Sequence, residues 1–243
     1  MRRVSFVLTM VLTALPASAQ VTDENTGNCA HGATDDIRIN ACTAVIQSGQ
    51  LSAGDLAAAY VNRGVVYNRD GRPDEALADA SRALSAQPDY ANAYGVRATA
   101  YRKKEQYDQA IADDSSGIAV SGDPRIQSIL YFDRGLSQEA KKLYDLALAD
   151  MNKAIELKAD SAIYYGGRAR VYHRIGSDAQ ALPDAEKAAT LRPADAGILE
   201  TRAEIYEKLG RRNDAVAGYR AVLQIDSTIE GARDGLKRLG ATP

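Results

Sequence analysis

The sequence predicts an all-α, right-handed solenoid of stacked helix-turn-helix units, and three observations carry that expectation. A 34-residue pattern returns five times between Ala57 and Ile229. Within each unit the apolar residues recur at helical rather than strand spacing. Each unit is split by a stop signal between two short helices, as in Gly71-Arg72-Pro73. A fixed period of this length marks a solenoid, which grows by stacking and needs no single central core.

The elements follow in chain order. Arg2 and Arg3, the apolar run Val4–Leu15 and then Ala17-Ser18-Ala19 form the charged start, apolar middle and small-residue cleavage site of a secretory signal peptide. Residues 1–19 are expected to be removed, leaving Gln20 as the mature start. The run is short for a membrane span and no later stretch approaches that length, so no stable membrane insertion is expected. The bacterial style of the signal points to export, with the periplasm as destination. Residues 20–33 are polar and aperiodic, the composition of a disordered leader. Residues 34–56 read as a half-repeat cap without a first helix, with Asp35 and Asp36 in a first turn and Gly49 as the stop. Cys29 and Cys42 are the only cysteines. An even count in an exported chain favours a disulfide, which would pin the leader across the cap.

Five repeats then fill residues 57–90, 91–124, 128–161, 162–195 and 196–229, with 125–127 inserted between the second and third. Counting places from each repeat's first residue, small residues stand at places eight and twenty, where two helices must approach closely. Tyrosine dominates places four and eleven. Gly71, Gly176 and Gly210 stand where a first helix stops and a left-handed residue is needed. Pro183 lies inside a second helix, and its missing N–H predicts a kink or a late start there. Residues 230–243 form a capping helix and tail.

The spacing of Tyr60, Gly64, Tyr67, Ala76, Ala80, Ala83 and Pro88 resembles the tetratricopeptide repeat, and the resemblance extends from Ala57 to Ile229. It implies that first helices line a concave face that holds an extended peptide or a partner helix. The inward places are Asn62, Val65 and Arg69; then Asn92, Thr99, Arg102 and Lys103; then Ile129, Phe132, Leu136 and Glu139. The last two repeats add Arg170, His173 and Arg174, then Glu200, Glu204 and Glu207. Phe132 and Leu136 are the expected apolar anchors. Arg102, Arg170 and Arg174 are expected to orient an acidic partner segment. The lysine–asparagine clamp of chaperone-tail-binding relatives is absent, because Val61 and Val65 stand at its first two places.

One feature exceeds the general repeat pattern. Place seven is arginine throughout, as Arg63, Arg97, Arg134, Arg168 and Arg202. Place twenty-three is Asp79, Asp113, Asp150 and Asp184, then Gly218. Aspartate is missing only where no further repeat follows. Each aspartate is therefore expected to reach the arginine of the following repeat, as a structural ladder of geometrically specific ion pairs.

With 30 Lys and Arg against 32 Asp and Glu, the chain lacks the basic excess of a nucleic-acid binder. His31 and His173 are far apart in a solenoid, and the adjacent acids Asp35-Asp36 and Asp113-Asp114 do not share a helix face. Gly166-Gly167 follows no strand, as a phosphate loop would require. No catalytic, metal or cofactor set is expected. The expected function is a non-catalytic scaffold or adaptor for another protein of the bacterial envelope. The alternatives are an accessory or regulatory subunit of an envelope enzyme, and a self-assembling module forming homo-oligomers.

Overall fold

The computed structural model describes residues 22–242, which form thirteen helices and no strand. The expected signal peptide over 1–19 and the mature start at Gln20 lie outside these residues. The helices pair in order: α1 (Asp23–His31) with α2 (Asp35–Gln47), α3 (Ala53–Arg69) with α4 (Pro73–Ala86), and α5 (Ala91–Lys103) with α6 (Tyr107–Val120). Next come α7 (Pro124–Ala140) with α8 (Tyr144–Leu157), α9 (Ala162–Arg174) with α10 (Asp178–Leu191), and α11 (Ala196–Lys208) with α12 (Arg212–Ile225). The helix α13 (Glu230–Arg238) closes the stack. Contacts join each helix to its sequence neighbours, and they also join α3 to α5, α5 to α7, α7 to α9 and α9 to α11. No such contact links successive second helices. The first helices therefore form the inner layer of a curved solenoid and the second helices its outer layer.

Small residues set the spacing within pairs. Place twenty is Ala76, Ala110, Ala147, Ala181 and Ala215, all fully buried. They face place eight, where Gly64, Ala98, Gly135, Ala169 and Ala203 are also buried. The turn between paired helices is the same in all five repeats. The backbone N–H at place sixteen donates to the place-eleven carbonyl at 2.8–2.9 Å, as from Arg72 to Tyr67 and from Ser177 to Tyr172. This Schellman geometry demands a left-handed residue at place fifteen. Gly71, Gly176 and Gly210 supply it with φ of 71°, 76° and 72°, but Glu105 and Lys142 adopt it too, at 59° and 62°. A side chain in that region costs about 1–2 kcal/mol. Glu105→Gly and Lys142→Gly are each expected to raise stability by about 1 kcal/mol, since the strain relieved exceeds the added chain entropy. Urea unfolding of the two single variants reads this, and a loss of stability in both would contradict it.

Three sequence expectations are corrected, while the Cys29–Cys42 pairing is as expected. The leader is not without structure: Asp23–His31 is helical, and the Thr22 side chain accepts from the Asn25 N–H at 3.1 Å. It supplies the first helix that the half-repeat lacked. Cys29 in α1 is bonded to Cys42 in α2, and both are buried with Ala41, Val45 and Ala59. The helices α3 and α7 begin earlier than Ala57 and Ser128, so residues 125–127 are part of an added N-terminal turn in α7. Pro183 neither delays nor ends α10, which starts at place seventeen like the other second helices. Pro183 is exposed, so the backbone bond it removes lies on the solvated side of the helix.

The ladder is corrected in its direction. In the first four repeats the arginine binds the aspartate of its own repeat, through Nε and Nη2 to both carboxylate oxygens. The pairs are Arg63–Asp79, Arg97–Asp113, Arg134–Asp150 and Arg168–Asp184, at 2.6–2.9 Å. Sixteen residues separate each pair, the distance from one helix of a unit to the facing turn of the other. The link between repeats comes from Nη1 instead. Arg63 donates to Thr43, Arg134 to Ser115 and Arg168 to Asn152 on the preceding second helix, at 2.6–2.9 Å. Gly218 therefore deprives Arg202 of its own partner, whatever follows the fifth repeat.

Candidate partner-binding groove

The inner face carries two cavities. One, of about 500 Å³, is walled by α3, α5 and α7. Val65 and Ile129 stand out on it, 42% and 52% exposed, with no neighbour in their own repeats to cover them. Asn62, Val65, Arg69, Asn92, Thr99, Lys103 and Ile129 all line this cavity, so the structure brings together seven predicted groove residues. Asn68 lines it as well. Its Nδ2 donates to the Val96 carbonyl at 2.8 Å, while its buried Oδ1 has no hydrogen-bond partner. The cavity thus combines an apolar wall with a buried amide tied to the backbone of α5.

The second cavity, of about 860 Å³, is bounded by α7, α9 and α11 and lined in part by Arg102, Phe132, Leu136, Arg170 and Arg174. Phe132 is not the anchor expected of it. It is only 7% exposed and packs with Ala147, Met151, Tyr164 and Val171, its ring centroid 4.9 Å from that of Tyr164. The reason lies in the next repeat. A Cβ on Gly167 would fall 2.6 Å from the Phe132 ring, so glycine there lets the ring cross between α7 and α9. Leu136 is half-buried against the same cluster. The apolar surface this cavity does offer comes from Ile163 and Ile198. Ile163 stands at place two, the place of Asn92 and Ile129, and that equivalence could have identified it.

The groove arginines are also less available than expected. Glu139, 8% exposed, receives Arg170 at 2.8 and 3.0 Å and Arg174 at 2.8 Å. Arg102 lies 3.7 Å from Asp133, and Arg69 donates to Asp35 at 2.9 Å. His173 lines neither cavity; its Nδ1 meets Asp178 and its Nε2 lies 3.9 Å from Glu204. The cations hold neighbouring helices together, and an acidic partner would have to compete with these internal carboxylates.

Two acids lie under the centre of the groove. Asp114 occupies place twenty-four, where the other repeats have Ala80, Met151, Ala185 and Tyr219. It is 1% exposed and neither carboxyl oxygen has a partner. Burial pushes its carboxyl well above the ordinary range, with Asp133 and then Asp113 adding to the shift and Arg102 and Arg134 opposing it. Burial likewise raises Asp133 to about 6 against the pull of Arg102. A raised folded-state value means that the folded chain binds more protons than the unfolded chain. Between the free carboxyl value of about 3.9 and about 6, stability should therefore fall as pH rises. Asp114→Ala restores the residue of repeats one and four. It is expected to stabilise by about 1–3 kcal/mol at neutral pH and to flatten that pH dependence. Urea unfolding at about pH 5, inside that window, and at about pH 7.5, above it, decides it, and equal stability of the two proteins at both would refute it.

Comparison with known proteins agrees with this geometry. Tetratricopeptide repeat family models match residues 55–114, 129–161 and 196–229. Sperm-associated antigen 1A of Danio rerio is 31% identical over 114 residues, covering 46% of this chain and 27% of that protein. Mitochondrial import receptor subunit TOM34 of Rattus norvegicus is 30% identical over 109 residues, covering 44% and 35%. The matched region thus spans about a third or less of these relatives. A structure solved for the functional characterisation of Pseudomonas aeruginosa pilF superposes with a TM-score of 0.70 at 18% identity, covering 78% of this chain and 85% of that one. YrrB, described as a tetratricopeptide repeat protein with an unusual peptide-binding site, gives 0.57 at 19% identity, covering 74% and 92%. At such identities these two superpositions establish the fold.

Proposed function

Because the chain belongs to the tetratricopeptide repeat family, we propose that it is a non-catalytic scaffold of the cell envelope that takes a partner's peptide or helix into its inner groove. Protein–protein interaction is the general role of this repeat, and the peptide-binding site in the description of YrrB is in keeping with it. The observation that carries the groove reading is the cavity between α3 and α7. Val65 and Ile129 are exposed there above Asn68, which is buried and donates to the Val96 carbonyl. An extended or helical segment with apolar side chains complements that surface, and apolar anchors within a polar rim dominate such binding. Acidic character in the partner is secondary, since the groove arginines already have carboxylate partners. Export is supported by the charged, apolar and small-residue order of residues 1–19 and by a disulfide, which oxidising compartments favour.

The test is capture from a periplasmic extract with the wild-type chain and with Val65→Asp plus Ile129→Asp. Both side chains are exposed, so helical content should stay the same while captured partner falls at least tenfold. Equal capture by the two proteins would move the binding surface elsewhere. Intact-mass measurement on periplasmic protein tests export separately; a mass that retains Met1 would refute it.

A further inference from the structure

We propose that Arg202 is a receptor for a carboxylate supplied from outside the chain. Repeats one and five are built alike around this place. In repeat one the Arg63 guanidinium carbon lies 5.8 Å from the Tyr67 ring centroid, and that of Arg72 lies 4.4 Å from the same ring. In repeat five Arg202 and Arg211 stand at the same 5.8 and 4.4 Å from Tyr206. The equivalent tyrosines and arginines thus hold the guanidinium in one pose. Leu199 stands where the Tyr60 ring also flanks Arg63, and the acceptor differs: Arg63 grips both oxygens of Asp79, whereas place twenty-three of repeat five is Gly218.

Nothing else among the described residues replaces the aspartate. Arg202 Nε is buried and has no hydrogen-bond partner, and no carboxylate oxygen lies within 4.0 Å of the guanidinium. Glu186, across on α10, is committed to the Tyr206 hydroxyl at 2.9 Å and to Arg211 at 3.8 Å. A buried donor without an acceptor is costly to leave, and a guanidinium edge presents two parallel N–H groups that match one carboxylate. The chain itself displays that match four times, at 2.6–2.9 Å. Arg202 lines neither groove cavity. It faces the second-helix layer, so the assignment stands independently of the groove. The ligand is a carboxylate taken by the Nη1 and Nη2 groups, which unlike Nε are not sealed from solvent, and it comes from an acidic residue or chain end of a partner protein or from a free carboxylic acid.

The test follows the arginine Nε–Hε resonances of the full chain by NMR. The probes are sodium acetate and a capped pentapeptide whose single charge is an aspartate, each against sodium chloride at equal ionic strength. Expected is a saturable shift of the Arg202 signal with the four paired ladder arginines unmoved, because their guanidinium groups already donate to aspartate. Tighter saturation by the peptide supports the receptor with a protein source, and tighter saturation by acetate supports it with a free acid. The internal control is Ala203→Gly with Gly218→Asp, which rebuilds the glycine–aspartate combination of repeats one and three. The glycine at 203 is needed because a Cβ on Gly218 would otherwise lie 2.9 Å from the Ala203 Cβ. In that variant the shift should vanish. No shift beyond chloride in the wild type, or the same shift in the rebuilt variant, overturns the proposal. Should the rebuilt variant fail to fold, Arg202→Lys serves instead, with the same two probes titrated by calorimetry: binding as tight as in the wild type would overturn it.

Discussion

Truncating Phe132 to alanine is expected to lower the unfolding free energy by about 3–5 kcal/mol, the range for an aromatic side chain removed from a packed interior. The ring is 7% exposed and packs with buried Ala147, Met151, Ala154, Tyr164 and Val171. It fills the junction between the third and fourth repeats, over Gly167. Collapse of the gap is limited because α7 and α9 are each held in place by their own partner helices. Gly167→Ala attacks the same contact from the other side, since its new methyl would press on the ring, and should lower stability as well. Urea unfolding of both variants is the measurement. A loss below about 1 kcal/mol for Phe132→Ala would contradict the interior role and return Phe132 to the groove surface.

The second large effect is expected at Asp79→Ala, a loss of about 3–5 kcal/mol. Asp79 is 1% exposed and the Arg63 side chain 11%, the most buried pair of the ladder. Removing the carboxylate leaves a guanidinium under two tyrosine rings with only Thr43 to accept from it. The pair itself contributes far less than this figure, which reflects the charge left without its partner. A double-mutant cycle should show coupling between Asp79→Ala and Arg63→Ala. The same cycle with Arg97→Ala, in the following repeat, should be additive. The reverse outcome would restore the ladder between repeats that the sequence suggested.

The sequence disclosed whatever repeats. Period, helix order, the left-handed place fifteen and the small residues at places eight and twenty were legible because each is imposed by the backbone of one unit. The arginine–aspartate pattern was legible as a pattern but not in its direction. Gly218 is the last of its series, and its absence of a carboxylate fits either pairing; only the placement of Arg63 against Asp79 distinguishes them. Phe132 was misread because its partner is an absence, the missing Cβ of Gly167 in the next unit. A sequence reads large residues more readily than the space small ones leave. The helix α1 was missed because DENTGNCAH has almost no apolar stripe and owes its position to the bond from Cys29. In the groove, Asn62, Val65, Asn92 and Thr99 came from place alone, whereas the neutralisation of Arg170 and Arg174 by Glu139 depends on contacts between repeats.

The two ends of the stack are closed by different chemistry, and this gives the molecule a direction. At one end a covalent bond ties α1 to α2. At the other, α13 rests on the Tyr219 ring through Gly235, with Ala232 and Leu236 beside it and Arg238 on Glu207. A linear array melts from its termini, and each unit is supported only by its neighbours. The covalent terminus can leave only as the bonded α1–α2 pair, giving up all of its packing on α3 at once, whereas the other needs only to lift a nine-residue helix. Pulled or warmed, the array is a zipper with one end sewn shut, and it runs from the fifth unit toward the first. A partner docked between α3 and α7 therefore sits on the last part of the molecule to open, and can remain bound while the far end breathes.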